Sequence, residues 1–201
     1  MNRLHRLILV VACAAGAAIP AAGQQMSETF NFLKGVRDRD AAAVEAIISS
    51  PSSAIINVRD RATGEGALHI VTRRRDLEWL AFLLGRRARP DVQAGDGTTP
   101  LGIAAQIGWL EGAEQLLARR ASVDLANNRG ETPLILAVQS RQLQMVRYLL
   151  SRGANRDRQD SSAGFSALDY ARQDTRNPEL LRIFEDQPAR PSRPAIGPSA
   201  N

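Results

Sequence analysis

The chain repeats itself with a period of 33 residues, and no other feature limits its possible folds as much. The stretch "GTTPLGIAA" at 97–105 returns as "GETPLILAV" at 130–138, and related segments begin at Gly64 and Gly164. In register, the four segments align two apolar positions: Leu68, Leu101, Leu134 and Leu168, then Leu83, Leu116, Leu149 and Ile183. Such periodicity indicates a repeat architecture, in which each unit packs only against its neighbours.

A more divergent unit precedes these four. The segment "FNFLKGVRDRDAAAVEAIISS", which begins at Phe30, matches the second half of the unit through Val44, Ile47 and Ile48. Three extra residues then precede Asn57, which aligns with Asp91, Asp124 and Asp157. We therefore count about five units.

Each unit is predicted to form a turn, a first helix, a second turn and a second helix. Gly97 suits the first turn, where a side chain would be strained. Thr99 is suited to cap the first helix, and Pro100 fits its first position, where no amide donor is needed. A second helix is predicted over 110–118 from the three-and-four spacing of Leu110, Ala113, Leu116 and Leu117. Neither helix can bury its apolar stripe alone, so the units must stack.

These motifs resemble the ankyrin-repeat family. "TPLGIAA" and "TPLILAV" are close to that family's "TPLHxAA", and "YLLSRGANRD" is close to the end of its second helix. The resemblance covers about residues 28–186 and implies an all-α solenoid of stacked helix-turn-helix pairs joined by β-turn loops. We divide the chain into a signal peptide (1–23), a repeat domain (24–186) and a Pro-rich tail (187–201). The predicted units are about 27–59 (N-terminal capping repeat), 60–93, 94–126, 127–160 and 161–186 (C-terminal capping repeat).

The chain departs from the family pattern at identifiable positions. The histidine of the motif is present only at His69, where the resemblance implies a structural hydrogen bond to the backbone of the adjacent turn. The helix-ending glycines are kept at Gly108 and Gly153, but arginine takes the other such places: Arg75, Arg141, Arg87 and Arg120. A non-glycine residue at positive φ is destabilised by roughly 1 kcal/mol. We therefore expect either backbone strain or a looser helix end there, and a solenoid less stable than a consensus one.

The first 23 residues have the layout of a secretory signal peptide: a basic start, an apolar run over 7–19 and the small-residue exit "PAAG". The run is too short to span a bilayer comfortably. We expect cleavage after Gly23, or after Ala22, and export to the periplasm of a bacterium. The alternatives are a retained membrane anchor and a lipoprotein acylated at Cys13, where "VVAC" resembles a lipobox. The tail "QPARPSRPAIGPSAN" is predicted to be disordered or polyproline-like.

Composition argues against several classes of function. Cleavage would remove Cys13 and His5, and with them any disulfide, thiolate nucleophile or Cys/His zinc cluster. The net charge of +5 falls to about +1 over 24–186, which is no electrostatic footprint for nucleic acid. No phosphate loop, metal motif or Ser/His/Asp set is present. We expect no catalytic, cofactor-binding or metal site, because the paired carboxylates Asp38/Asp40 and Asp157/Asp160 fall at turns and helix starts.

Candidate binding residues follow from the resemblance, which implies that projecting turns and first helices form a concave binding face. Transferred unit by unit, the contact positions are Thr63, Glu65, Arg73 and Arg74; Asp96, Thr98, Gln106 and Ile107; Arg129, Glu131, Gln139 and Ser140; and Phe165, Gln173 and Asp174. The arginines at 73–75 either meet an acidic partner or form a solvated helix end that complements the helix dipole.

Aromatic residues fall into two predicted groups. Trp79, Phe82 and Tyr148 lie on the apolar stripes of second helices and are expected in the core. Trp109 follows a first helix, at a position expected to be exposed, and joins the candidate contacts. Together with Ile107 and Phe165 it is a candidate anchor, because aromatic residues are enriched where partners bind.

The sequence thus predicts a non-enzymatic protein–protein interaction module that grips a folded partner through its concave face. We expect no cofactor, no nucleic-acid partner, no membrane insertion after signal removal, and a monomer. Three alternatives stay open: a membrane-tethered version of the same binder, a hydrolase that uses carboxylates alone, and a structural protein that self-associates through its repeats.

Overall fold

The computed structural model describes residues 21–49 and 54–186. Within these ranges the chain forms ten α-helices and a short 3-10 helix at 54–57. The helices are α1 (Ala21–Asp38), α2 (Ala41–Ile48), α3 (Ala67–Arg73), α4 (Leu77–Gly85), α5 (Pro100–Ile107), α6 (Leu110–Ala118), α7 (Pro133–Gln139), α8 (Leu143–Ser151), α9 (Ala167–Gln173) and α10 (Pro178–Asp186). No helix in the described part of the chain combines the length and apolar character needed to cross a membrane. Residues 1–20, including Cys13, and the tail at 187–201 lie outside the described residues.

Five helix pairs stack side by side. The first helices of successive pairs contact one another from α1 to α9, and the second helices do so from α4 to α10. Leu101 and Leu134 are each the second residue of a first helix, and both are fully buried. They occupy matching places in neighbouring layers, so the predicted all-α solenoid is confirmed. The second helix predicted over 110–118 is also found, as α6.

The first helices begin as the sequence predicts. The hydroxyl of Thr99 accepts a hydrogen bond from the amide three residues on, at 3.0 Å, and Pro100 occupies the first turn of α5. Thr132 and Pro133 repeat this arrangement at the start of α7. In the last unit Ser166 caps α9. Each cap satisfies an amide that the helix itself leaves without a partner.

The turns between units form short hairpins that are bonded to one another. Isolated antiparallel bridges join Arg59 to Gly66 and Gln159 to Ser166. At each of three unit boundaries a backbone amide donates to a carbonyl of the preceding hairpin: Gly95 to Thr63 (2.9 Å), Asn128 to Asp96 (3.0 Å) and Ser161 to Arg129 (2.8 Å). The projecting turns are therefore one connected strip rather than independent loops.

A second series of bonds links the units near the ends of the second helices. Side-chain oxygens accept backbone amides of the following unit: Asn57 from Arg89 (2.7 Å), Asp91 from Ser122 (2.8 Å) and Asp124 from Asn155 (2.9 Å). The acceptors are residues that align in the sequence. The register assigned to the divergent first unit is therefore confirmed.

Five arginines adopt the left-handed backbone conformation: Arg39, Arg75, Arg87, Arg120 and Arg141, with φ between 54° and 66°. Of the two outcomes expected at the arginine-ended helices, the strained backbone is the one found. Arg39 was not predicted, because the first unit lacks the motif that marks this position elsewhere. Three of the five arginines reach into the next unit: Arg39 to Asp76 (3.3 Å), Arg75 to the carbonyl of Ile107, and Arg141 to Asp174 (2.6 Å).

The aromatic residues of the second helices are less buried than we expected. Trp79 lies in the core, but Phe82 and Tyr148 are only half-buried. The guanidinium of Arg86 covers the Phe82 ring at 5.2 Å from its centroid, and that of Arg152 covers the Tyr148 ring at 5.9 Å. The arginines that end these helices thus shield rings that the apolar stripe alone does not bury.

Candidate protein-binding surface

One exposed side chain recurs near the C-terminal end of each first helix from α3 onward. Arg73, Gln106, Gln139 and Gln173 occupy equivalent positions in successive units, and all four are exposed. Because the first helices lie side by side, at the roughly 8–10 Å typical of packed helices, these side chains form a row across the stack. We call it the first-helix row. Three members are glutamines, whose amides both donate and accept hydrogen bonds.

In three of these four units the next residue is bonded to a neighbouring unit. Ile107 is half-buried, and its carbonyl accepts the guanidinium of Arg75. Arg74 donates at 2.6 Å to a main-chain carbonyl at the end of α1. Asp174 accepts two hydrogen bonds from Arg141, at 2.6 and 3.2 Å, which lower the pKa of its carboxyl group. These residues give the surface shape but offer few free hydrogen-bonding groups.

The hairpin tips carry Thr63, Asp96 and Arg129, which are exposed at equivalent positions. Their carbonyls accept the inter-unit bonds, so the backbone is fixed while the side chains stay accessible. Burial alone would raise the pKa of Asp96, but hydrogen bonds from Thr98 outweigh it, and the pKa is lowered. Asp96 therefore presents a stable negative charge at neutral pH.

Glu131 corrects one of our predicted contacts. We expected an accessible side chain at this hairpin position, yet Glu131 is only 7% exposed. Its Oε2 accepts hydrogen bonds from Nδ2 of Asn127 at 2.7 Å and Nε of Arg129 at 3.0 Å. The carboxylate is therefore folded back onto its own turn and stabilises the hairpin. The other less accessible members of the predicted set, all half-buried, are Glu65, Thr98, Ile107, Ser140, Phe165 and Asp174.

Trp109 is a second correction. The prediction of an exposed anchor is wrong, because Trp109 is 5% exposed and belongs to the core. Its ring lies against Gly112 in α6, where a Cβ atom would come within 2.1 Å of the ring. The glycine three residues on makes a slot for the indole. That spacing was the signal in the sequence that could have predicted burial.

His69 has the structural role that the resemblance implied. Its Nδ1 accepts the amide of Gly66 at 3.0 Å, and its Nε2 lies 3.0 Å from the carbonyl of Thr98 in the next unit. The side chain is fully buried, and this burial lowers the pKa of the imidazole. His69 is therefore neutral at pH 7 and joins two units rather than contacting a partner.

Tyr170 belongs to the surface, although the sequence interpretation passed over it. Its hydroxyl donates to Oδ2 of Asp160 at 2.6 Å, which raises the pKa of the phenol, and its ring meets Phe165 edge-on with centroids 5.6 Å apart. With Gln139 and Gln173 it lines a shallow depression of about 390 Å³. The signal lay in the alignment: the other units carry aliphatic residues at this position, namely Ile70, Ile103 and Leu136.

Three of the paired carboxylates, Asp38, Asp40 and Asp160, bond within their own helix or turn. Asp40 caps α2 by accepting the amide of Ala43 at 2.9 Å. Oδ1 of Asp160 accepts three successive amides of its own turn, at 2.7 to 3.1 Å. Asp38 pairs with Lys34 on the outside of α1. Within 21–49 and 54–186, no three His, Cys, Asp or Glu side chains are grouped as a metal site would require.

Nine residues of the predicted site, together with Tyr170, lie on the first helices and hairpins of successive units. We call recognition surface the set Thr63, Arg73, Asp96, Gln106, Ile107, Arg129, Gln139, Phe165, Tyr170 and Gln173. Stacked helix pairs joined by bonded hairpins define the chain as a helical-repeat scaffold. A family model of ankyrin repeats in three copies matches residues 68–160 and 111–184, together more than half of the chain. The chain belongs to the ankyrin-repeat family, whose repeats are generally protein–protein interaction modules.

Proposed function

We propose that this protein is a non-enzymatic scaffold, exported to the bacterial periplasm, that binds a folded protein partner through the recognition surface. The observation that carries the proposal is the first-helix row, which is exposed in four successive units on a mutually bonded framework. A surface fixed before binding loses little conformational entropy on association. The row therefore supplies hydrogen-bonding groups at set intervals without first having to be ordered.

Ile107 and Phe165 are two of the proposed apolar anchors. Tyr170 replaces the buried Trp109 as the third. All three are half-buried and lie beside exposed polar side chains. This combination matches the usual anatomy of an interface, in which a few apolar or aromatic anchors are surrounded by a polar rim. We expect the Phe165–Tyr170 pair to dominate affinity at the C-terminal end of the surface.

Photocrosslinking at two matched glutamines tests the proposal. We would place p-benzoylphenylalanine at Gln139, in the first-helix row, and in a second variant at Gln144, which is exposed on the second helix of the same unit. In periplasmic extract the proposal predicts a protein adduct from position 139 and none from position 144. Equal adducts from both positions, or an adduct from position 144 alone, would contradict a partner seated on the recognition surface.

Once the crosslinked partner is purified, its affinity can be measured directly. The triple substitution Gln106→Ala, Gln139→Ala and Gln173→Ala should weaken binding at least about tenfold, because each glutamine loses a hydrogen bond of about 0.5–1.5 kcal/mol. The matched control replaces Gln115 and Gln144, which are exposed on second helices, and should leave the affinity unchanged. Unchanged affinity in the triple variant would remove the first-helix row from the interface.

The proposed export is tested by a separate experiment, which determines where the mature chain begins. The proposal rests on the layout of residues 1–23 and predicts a mature chain that begins at residue 24, or at residue 23 if cleavage follows Ala22. Intact mass and N-terminal sequencing of the protein from the periplasm decide this. A chain that begins at acylated Cys13 would establish the tethered form, and a retained Met1 would refute cleavage. Light scattering of the mature chain tests the proposed monomer against self-association.

A further inference from the structure

Six exposed arginines line the edge of the solenoid where the second helices end. Arg86, Arg119 and Arg152 are the C-caps of α4, α6 and α8, Arg87 and Arg120 follow two of them, and Arg89 lies just beyond. We call this set the arginine edge. Because these helices lie side by side, positive charges recur along the edge at intervals of roughly 8–10 Å. None of the six belongs to the recognition surface.

The C-cap arginines make contacts that stabilise the fold. Arg86 pairs with Glu45 of the preceding unit and covers Phe82. Arg119 donates at 3.2 Å to the carbonyl of Leu84, also in the preceding unit. These contacts link units and explain why arginine stands at the caps. A single arginine at each helix end also complements the helix dipole, so the dipole does not require a second one.

Arg87 and Arg120 have no such explanation. Both are held in the left-handed backbone conformation, at φ values of 66° and 65°, where glycine is free of strain and is found in the next unit as Gly153. Neither side chain makes a hydrogen bond or ion pair with any residue in 21–49 or 54–186. This separates them from Arg39 and Arg141, which occupy strained positions but reach into the next unit. Strain that nothing in the fold offsets is characteristic of functional positions.

The acidic groups that follow Arg87 and Arg120 in the chain are already engaged. Asp91 and Asp124 accept the amides of the following unit, and Glu45 is paired with Arg86. The guanidinium groups of Arg87 and Arg120 therefore face solvent with their donors free. Guanidinium matches carboxylate through two parallel hydrogen bonds, which favours an acidic partner.

We propose that the arginine edge binds an extended acidic segment of a protein, with Arg87 and Arg120 pairing with its carboxylates. In the extended polyproline II conformation a chain advances about 3.1 Å per residue with three residues per turn, so acidic side chains three residues apart lie on one face and match the spacing of successive units. An anionic lipid surface fits less well, because surface-bound elements also insert apolar side chains. The large hydrophobic side chains exposed in the described residues are Phe30 and Leu77, and neither lies on this edge.

Fluorescence anisotropy with a defined probe tests this proposal. The probe is a labelled 12-residue Gly/Ser peptide with glutamate at every third position, titrated at low salt into the full repeat domain. The double variant Arg87→Gly/Arg120→Gly should bind the peptide about tenfold more weakly than the unaltered domain. The same variant should be at least as resistant to urea, because glycine relieves the strain. Loss of binding then cannot be ascribed to unfolding.

A matched control removes the same two charges elsewhere. Arg61 lies in a hairpin and Arg182 in the middle of α10, and both are exposed; the variant R61Q/R182Q should keep the affinity within twofold. Equal weakening in both variants would mean that binding follows net charge, and would overturn the proposal. So would failure of the unaltered domain to bind the peptide, or binding to phosphatidylglycerol vesicles in its place.

The arginine edge and the recognition surface are tested separately. The variant with alanine at Gln106, Gln139 and Gln173 should bind the acidic peptide as the unaltered domain does, because these residues lie on the first helices. Weakening by that variant would place the peptide on the recognition surface and contradict the assignment to the edge. Failure of the proposed edge would leave the crosslinking result at Gln139 untouched.

Discussion

His69 joins two repeat units through its imidazole: Nε2 donates to the carbonyl of Thr98 at 3.0 Å while Nδ1 accepts the amide of Gly66 at 3.0 Å. A carbonyl only accepts and an amide only donates, so both bonds exist together in one neutral tautomer alone. A second proton on the ring would take away the acceptor that Gly66 needs. The bond between Gly66 and His69 is therefore linked to pH.

Stability should fall on mild acidification because of His69. Burial lowers the pKa of the imidazole in the folded state below its ordinary value near 6.5. The unfolded chain then binds more protons than the folded one, so the stabilisation is complete above pH 6.5 and is lost as pH falls through the lower folded pKa. Urea unfolding of residues 24–201 at pH 7.5 and 5.5 should show a lower free energy of unfolding at pH 5.5.

The substitution His69→Gln supplies the control. Glutamine does not titrate, so the variant should be less stable at pH 7.5 but should lose little more by pH 5.5. The carboxylates whose pKa is lowered, such as Asp96 and Asp174, lose their stabilising contribution only below about pH 4, outside this window. An equal decrease in both proteins over this range would exclude His69 as the source.

Replacing an arginine in the left-handed conformation with glycine should change the free energy of unfolding by an amount that depends on the contacts of that arginine. Arg87→Gly relieves strain without loss of a bond and should raise the free energy of unfolding by about 0.5–1 kcal/mol. Arg141→Gly relieves similar strain but removes the exposed ion pair with Asp174, so its net effect should be smaller. Urea unfolding measures both variants. An equal gain from Arg141→Gly would mean that its ion pair contributes nothing.

The periodicity predicts the architecture well because the apolar residues that recur with it are the ones that the stacked units bury. Leu101 and Leu134 are fully buried as equivalent residues, and Thr99 and Thr132 cap the helices that their spacing predicts. Local sequence and stacking point to the same structure at these positions, so the repeat alone suffices to place them. The same argument places the hairpins and the residues at their tips.

The solvent accessibility of individual side chains in the site is harder to predict, because each depends on one or two particular neighbouring residues. Trp109 is buried through Gly112, which lies outside the motif, and Glu131 is engaged by Asn127 of its own turn. The family pattern says which positions face a partner but not whether a given side chain folds back. The choice between strain and a loosened helix end at Arg75 likewise required the backbone dihedral angles.

Loss of a helix cap should destabilise the solenoid at its centre. Thr132 is fully buried, and its hydroxyl accepts the amide of Ile135 at 3.3 Å. Thr132→Ala should lower the free energy of unfolding by about 1–2 kcal/mol, because it leaves a buried amide without a partner. Thr132→Ser keeps the hydroxyl and should recover most of that loss. If both variants unfold at the same urea concentration, the lost methyl group rather than the cap is responsible.

The slot that Gly112 provides for Trp109 should tolerate no side chain. A Cβ at this position would lie 2.1 Å from the indole, so Gly112→Ala should lower the free energy of unfolding by about 1–3 kcal/mol through overpacking. Gly85, the last residue of α4, is the matched control, because nothing lies within 4 Å of a Cβ added there; Gly85→Ala should be neutral or stabilising by up to about 1 kcal/mol. Combining Gly112→Ala with Trp109→Leu should cost less than the sum of the two single changes, since the smaller side chain makes room. Strict additivity in this double-mutant cycle would show that the two residues do not share the slot.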